Sequence, residues 1–346
     1  MFDAGPQQKP IAQELPVYRA DDLRVVHGAN EGDALSFATD LTLDDSYALR
    51  QAARQSSLAL TPDTNGHFRI APTSSVGTAF AGLYLDCCLT LMRTCGDTVE
   101  ALVFVEVSDA GSVAAIYVHG FSDFSPKEEY RLVGIDRENA HRRLALTHCM
   151  SFTRGTHITM ADGTQRPIDT LRAGDMVLTR DAGAQPIRWI GRSTQRASGP
   201  FAPVVIAKGV LNNLRPLILH PNHRLFVYQR QDHIEAGRAE VMVTARHLLN
   251  GQDVHVQNGG FVDYFQLLLD DHQFVYAEGI AAETMQVTQR TEPVLPKGLV
   301  ARFSQSQPGL TTVPAAQSDR ALLQRRNAAA VLRRAASGEA HLPLRH

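Results

Sequence analysis

The chain has 346 residues, enough for two ordinary domains with tails. Its 44% hydrophobic and 20% charged residues place it in the soluble globular class, and a formal net charge of -2 supplies no chain-wide basic field to hold a nucleic-acid backbone. Nucleic acid is therefore not expected as a partner, and with no stretch of about 18 apolar residues no membrane span is expected either.

Residues 1–16, the start of "MFDAGPQQKPIAQELPVYRADD", are rich in Pro and Gln and read as a flexible N-terminus. They lack the basic start and apolar run of a secretory signal, so the expected location is cytoplasmic, or outside by a signal-peptide-independent route.

Over residues 17–148 the two-residue period of strands recurs in "DLRVVHG", "LSFATDLTL", "HFRIAP", "ALVFVEVSD", "SVAAIYVHG" and "EYRLVGID". Turn signals separate them, as in "DTNG" (63–66) and "DAGS" (109–112). This reads as an N-terminal β-sandwich-like domain of short antiparallel strands. Only "SYALRQAARQSS" and "DRENAHRRLALTH" look helical, the second as a connector delivering the chain to Ser151. Cys87, Cys88 and Cys95 are too clustered for a disulfide framework and lack the Cys-x-x-Cys spacing of a zinc site; buried or half-buried thiols are expected. No motif in this domain names a ligand.

Residues 149–290 form a second strand-rich block. Its one helical piece is "AEVMVTARHLLNG", closed by Gly251 as a C-cap. Gly174 and Asp175 read as a tight turn, and Trp189, the single tryptophan, as core. Residues 291–346 shift to Pro, Ser, Gln and Thr, a linker composition that buries too little apolar surface to fold alone. An Arg-rich tail follows, Asp319 to His346, with six arginines against one Asp and one Glu. It reads as a solvated weak helix or as a docking segment for an acidic partner.

The junction "HCMSFTRGTHITMADG" holds two nucleophile-capable side chains, Cys149 and Ser151, two residues apart. In a strand they would point to one face, which leaves Cys149 as either a bystander or a second thiol in the same pocket. Taken with "LILHPNHRLFV", "VTARHLLNG" and "DDHQFVYAEGI", the stretch from "SFTRGT" onward resembles the Hint domain of inteins and hedgehog proteins, in its bacterial intein-like branch, over roughly residues 149–290. The resemblance implies a curved, all-β Hint-type domain, which together with the strand-patterned N-terminal domain gives an all-β fold class for the chain.

It also implies chemistry. The family's first residue is a Cys or Ser that attacks the carbonyl just before it, and "SFTRGT" fills the Cys-Phe-x-x-Gly-Thr frame with Ser151 as the nucleophile. Attack on the preceding carbonyl closes a five-membered ring, so geometry replaces a bimolecular encounter. An ester lies uphill of an amide, and the shift needs a proton on the leaving nitrogen. A serine hydroxyl needs a base more than a thiol of pKa about 8.5 does. In the family a Thr-x-x-His motif holds the scissile peptide and protonates its nitrogen; here the frame reads His220, Pro221, Asn222, His223. The resemblance thus makes His223 the proton donor, an imidazole titrating near neutrality suiting the task, with His220 either replacing the Thr as a hydrogen-bond donor or signalling lost activity. His272 falls near the family's late His or Asp. Beside it Asp270 and Asp271 either orient an attacking group or are solvated turn residues. Where inteins end in His-Asn, this chain has "IAAETMQV", so no asparagine is present to cyclise and ligation of the flanks is not expected.

Two readings follow. One is an autoprocessing domain that makes an N-to-O acyl shift at Met150–Ser151 and cleaves off its own N-terminal domain, without splicing and without a cofactor. The other is a Hint-fold binding or structural module that has lost turnover. A different hydrolase or a zinc site built on His220, His223 and His272 comes third, and no His-x-x-x-His or Cys-x-x-Cys accompanies those residues.

Overall fold

The computed structural model describes residues 12–63, 67–228, 240–288, 290–296 and 298–299. Contacts divide the chain into two units, Met1–Ala145 and Leu146–His346. The fold is all-β apart from one short α-helix and a few 3-10 turns among the described residues.

The first unit holds β1 (Gln13–Arg19), β2 (Leu23–His27), β3 (Ser46–Leu49), β4 (Ser56–Pro62), β5 (Phe68–Ile70), β6 (Gly82–Arg93), β7 (Thr98–Val107), β8 (Val113–Gly120) and β9 (Glu129–Asp136). Its expected sandwich is instead one sheet that closes on itself. The long β6 pairs with β7 along one edge, while β5 and β9 share the other, so β6-β5-β4-β1-β8-β7 form a ring from which β9-β3-β2 extend. Length is the physical reason, since a twelve-residue strand has room for two partners on one edge.

Three local expectations fail here. β1 starts at Gln13, inside the stretch expected to be flexible, because Leu15 and Val17 alternate into the core. "SYAL" (46–49) is strand rather than helix: Tyr47 and Leu49 are buried, and β3 is held between β2 and β9. Cys95 is exposed, because it sits in the β6–β7 turn, whereas Cys87 and Cys88 are buried on β6. Part of the "DTNG" turn, residues 64–66, lies outside the described residues. At its end the unit runs into α1 (Ala140–Leu146), before which Asp136 accepts hydrogen bonds from the backbone N–H groups of Glu138 and Asn139.

The strands of the second unit are β10 (Phe152–Thr153), β11 (His157–Thr159), β12 (Gln165–Pro167), β13 (Met176–Thr179), β14 (Gly183–Pro186), β15 (Trp189–Arg196), β16 (Val204–Ile206), β17 (Leu217–Leu219), β18 (Arg224–Tyr228), β19 (Glu240–Thr244), β20 (Val254–Val256), β21 (Phe261–Leu268), β22 (Phe274–Ala277) and β23 (Ile280–Glu283). They form two sheets, β15-β21-β10-β17-β16-β20 and β12-β11-β22-β23-β18-β19, the second with β13 and β14 attached through β22. One apolar core takes side chains from both, among them Phe152, Leu219, Phe265, Val243 and Val275. Burying Phe152 completely contributes about 1.5–3 kcal/mol and pins the first strand of the unit.

Gly174 turns the chain at φ +96 while Asp175 Oδ2 accepts from Arg172 N at 2.9 Å, the tight turn expected of the pair. "AEVMVTARHLLNG" is not a helix but β19 followed by a 3-10 turn, Ala245–Leu248. Val241 and Val243 pair along β18, and that ladder outweighs local helical periodicity. Trp189 is half-buried rather than core, since its strand β15 lies at the sheet edge. Val294 and Leu295 are buried, so packed chain continues past residue 290. The Arg-rich tail from Asp319 lies outside the described residues.

Candidate functional site

Strand β10 is central in its sheet, with Phe152 opposite Leu219 on β17 and opposite Phe265 on β21. One step back along those antiparallel registers places Ser151 between His220 and Gln266. Hydrogen bonds carry the pairing that far: His220 N donates to Ser151 O at 3.1 Å, and Gln266 Nε2 donates to Ser151 Oγ at 2.8 Å. Directly opposed residues lie on one sheet face with Cβ atoms about 4.5–5.5 Å apart. Ser151 is thus flanked by His220 and Gln266 on the neighbouring strands, and all three residues are 1% exposed.

The remaining contact of Ser151 Oγ is a hydrogen bond to Cys149 O at 3.1 Å. What Cys149 offers the serine is its carbonyl, not a second thiol on a shared strand face, because the backbone at Cys149 turns to donate to Leu146 O before β10 begins. Cys149 itself is fully buried.

His223 is completely buried against the ring of Phe152, centroids 4.6 Å apart, with Nδ1 3.0 Å from Ser151 O. A carbonyl only accepts, so Nδ1 carries the proton. Burial lowers this imidazole to about 4, against the Ser151 carbonyl and the Glu283 charge, which favour the cation. The expectation of a group titrating near neutrality is therefore corrected: desolvation holds His223 neutral. His220 is lowered further, to about 3, by burial first and then by His223, His148 and Arg246. Its Nδ1 accepts from Asn222 N at 3.2 Å, so the neutral ring carries its proton on Nε2, a buried donor with no hydrogen-bond partner. Asn222 also donates through Nδ2 to Thr147 O at 2.9 Å. The His-Pro-Asn-His loop thus grips the chain both ahead of Met150 and at Ser151.

His272 is not beside Ser151 Oγ. Its Nε2 lies 2.6 Å from Oε1 of Glu283, which also takes two hydrogen bonds from Arg224. Burial raises the Glu283 carboxyl, but the hydrogen bonds and the Arg224 charge outweigh this and hold it below its ordinary value. A cavity of about 210 Å³ opens beside this ion pair, lined by His148, Met150, Arg224, Glu283, Thr288 and Arg290 among others. Asp270 pairs with Arg188, Oδ2 to Nη2 2.6 Å. Among the described residues no group of three His, Cys, Asp or Glu side chains is placed to hold a metal ion.

Gln266, Asn222, Arg224 and Glu283 are the site residues that sequence reasoning missed. For Gln266 a signal existed, a polar residue inside the apolar run "YFQLLL". A buried polar side chain in a strand requires a partner.

No curated protein matches the chain. The solution structure of a bacterial intein-like domain from Clostridium thermocellum is similar to it at 14% identity and a TM-score of 0.28, covering 39% of this chain and 97% of that one. The sequence profile of the Hint domain family matches residues 150–289, the span that begins at the Met150–Ser151 peptide and contains both of its flanking strands. Residues 150–289, within the second unit, carry a Hint domain.

Proposed function

We propose that the Hint domain cuts its own chain at Met150–Ser151 by an N-to-O acyl shift, releasing residues 1–150 without splicing. The observation that carries this reading is Ser151 at the head of the domain with His223 Nδ1 3.0 Å from its carbonyl oxygen. In extended backbone the N–H and C=O of one residue point to the same side. The nitrogen that must receive a proton therefore faces the strand edge where that ring lies. In the step itself Ser151 Oγ bonds to the carbonyl carbon of Met150, the C–N bond breaks, and the hydroxyl proton ends on the Ser151 nitrogen. Water then adds to the ester carbon, leaving a carboxylate on Met150 and restoring the hydroxyl. "IAAETMQV" supplies no asparagine for a second cleavage.

One observation favours the silent module. The hydrogen-bond partners of Ser151 Oγ are an amide donor and a carbonyl acceptor, and neither is a base. Intact-mass measurement of the purified full chain over days, with and without hydroxylamine, decides between the two. Autoprocessing gives fragments 1–150 and 151–346 that are absent from Ser151→Ala and faster in Ser151→Cys, because a thiol gives up its proton more readily. An intact chain in both the native sequence and Ser151→Cys leaves the module.

A further inference from the structure

We propose that Gln266 is a catalytic residue of this reaction, binding Ser151 Oγ through its amide N–H and stabilising the negative charge that grows there as the hydroxyl proton leaves. The proposal rests on the self-processing reading above.

The orientation of the carboxamide follows from proton counting. Ser151 Oγ has one proton and points it at Cys149 O, so the group facing it from β21 must be a donor, and the NH₂ end of Gln266 meets it at 2.8 Å. The carbonyl end faces away, over Gly191, its partner on β15. A Cβ at Gly191 would come within 2.5 Å of Gln266 Oε1 and 2.2 Å of the Trp189 ring. The side chain is thus confined between a serine it donates to and a glycine that makes room for it. A carboxamide takes up no proton at these pH values, so its part is not that of a base. It supplies a fixed dipole at the reacting oxygen, in a site buried from water, where such a donor acts most strongly.

The test uses the full chain carrying Ser151→Cys, alone and with Gln266→Met or the isosteric Gln266→Glu. Titrating the introduced thiol by thiolate absorbance, as a difference from the parent chain, reads the donor without any need for turnover. Both second substitutions should raise the thiol pKa by about one unit or more, with Gln266→Glu the larger because it adds a like charge. On the native Ser151 background, Gln266→Met should slow cleavage by about 10²-fold, the worth of one oxyanion-type donor. The loss should be smaller on the Ser151→Cys background, since sulfur is the weaker acceptor. An unshifted thiol, or an equal loss of rate on both backgrounds, overturns the role of Gln266 and leaves self-processing intact. A shifted thiol with no cleavage in any chain overturns self-processing, and the catalytic role with it.

Discussion

His223 Nδ1 lies 3.0 Å from the carbonyl oxygen of Ser151, and neither residue is more than 1% exposed. The ring is neutral because burial lowers it from 6.5 to about 4 in the folded chain. Above about pH 6.5 neither folded nor unfolded chain protonates it, and its full contribution to stability is present. As the pH falls from there toward 4 the unfolded chain takes up a proton that the folded chain does not, so stability is lost with acid. The loss is about 3 kcal/mol for His223 by pH 4, and His220 extends the same trend toward pH 3. Urea-unfolding midpoints at pH 7 and pH 4.5 should show it, with a shallower slope in His223→Gln. Equal midpoints at the two pH values would contradict a neutral buried ring.

Removal of His223 should also be visible in the reaction. His223→Ala is expected to slow appearance of the 151–346 fragment by about 10² to 10⁴, the worth of a positioned acid or base. A rate within about twofold of the native chain would leave it no part in the chemistry.

Glu283 is 1% exposed and holds both Arg224 and His272. Glu283→Leu strands a half-buried guanidinium and should destabilise the second unit by about 3–5 kcal/mol, as when one partner of a buried pair is removed. Thermal unfolding followed by circular dichroism measures this. A shift in midpoint no larger than that of a surface substitution would show the pair to be dispensable.

Gly191 tolerates no side chain: its added Cβ would meet the Trp189 ring at 2.2 Å and Gln266 Oε1 at 2.5 Å. Gly191→Ala should cost about 1–3 kcal/mol by overpacking and push the Gln266 carboxamide off Ser151. Unfolding midpoints and cleavage rate should fall together. A chain as stable and as fast as the parent would mean the strand edge gives way freely.

The two-residue alternation was enough to show an all-β chain, because strands such as β1 and β2 bury every second side chain wherever the alternation is regular. "SFTRGT" and "HPNH" pointed to Ser151 and His223 because these motifs keep their residue spacing in the linear chain, and folding brings the two residues together. Where sequence and structure part, long-range pairing is the cause. "AEVMVTARHLLNG" became a strand because β18 was available to pair with it, and "SYAL" because β2 and β9 lay to either side. Gln266 reaches Ser151 from 115 residues away in the chain, and Arg224 reaches Glu283 across 59. No local pattern encodes such neighbours, which exist only once the strands are in register. The charge state of His223 was likewise open until folding, because an imidazole's pKa follows its solvation, and only packing against Phe152 and the Ser151 backbone removes the water that would have let it titrate near neutrality.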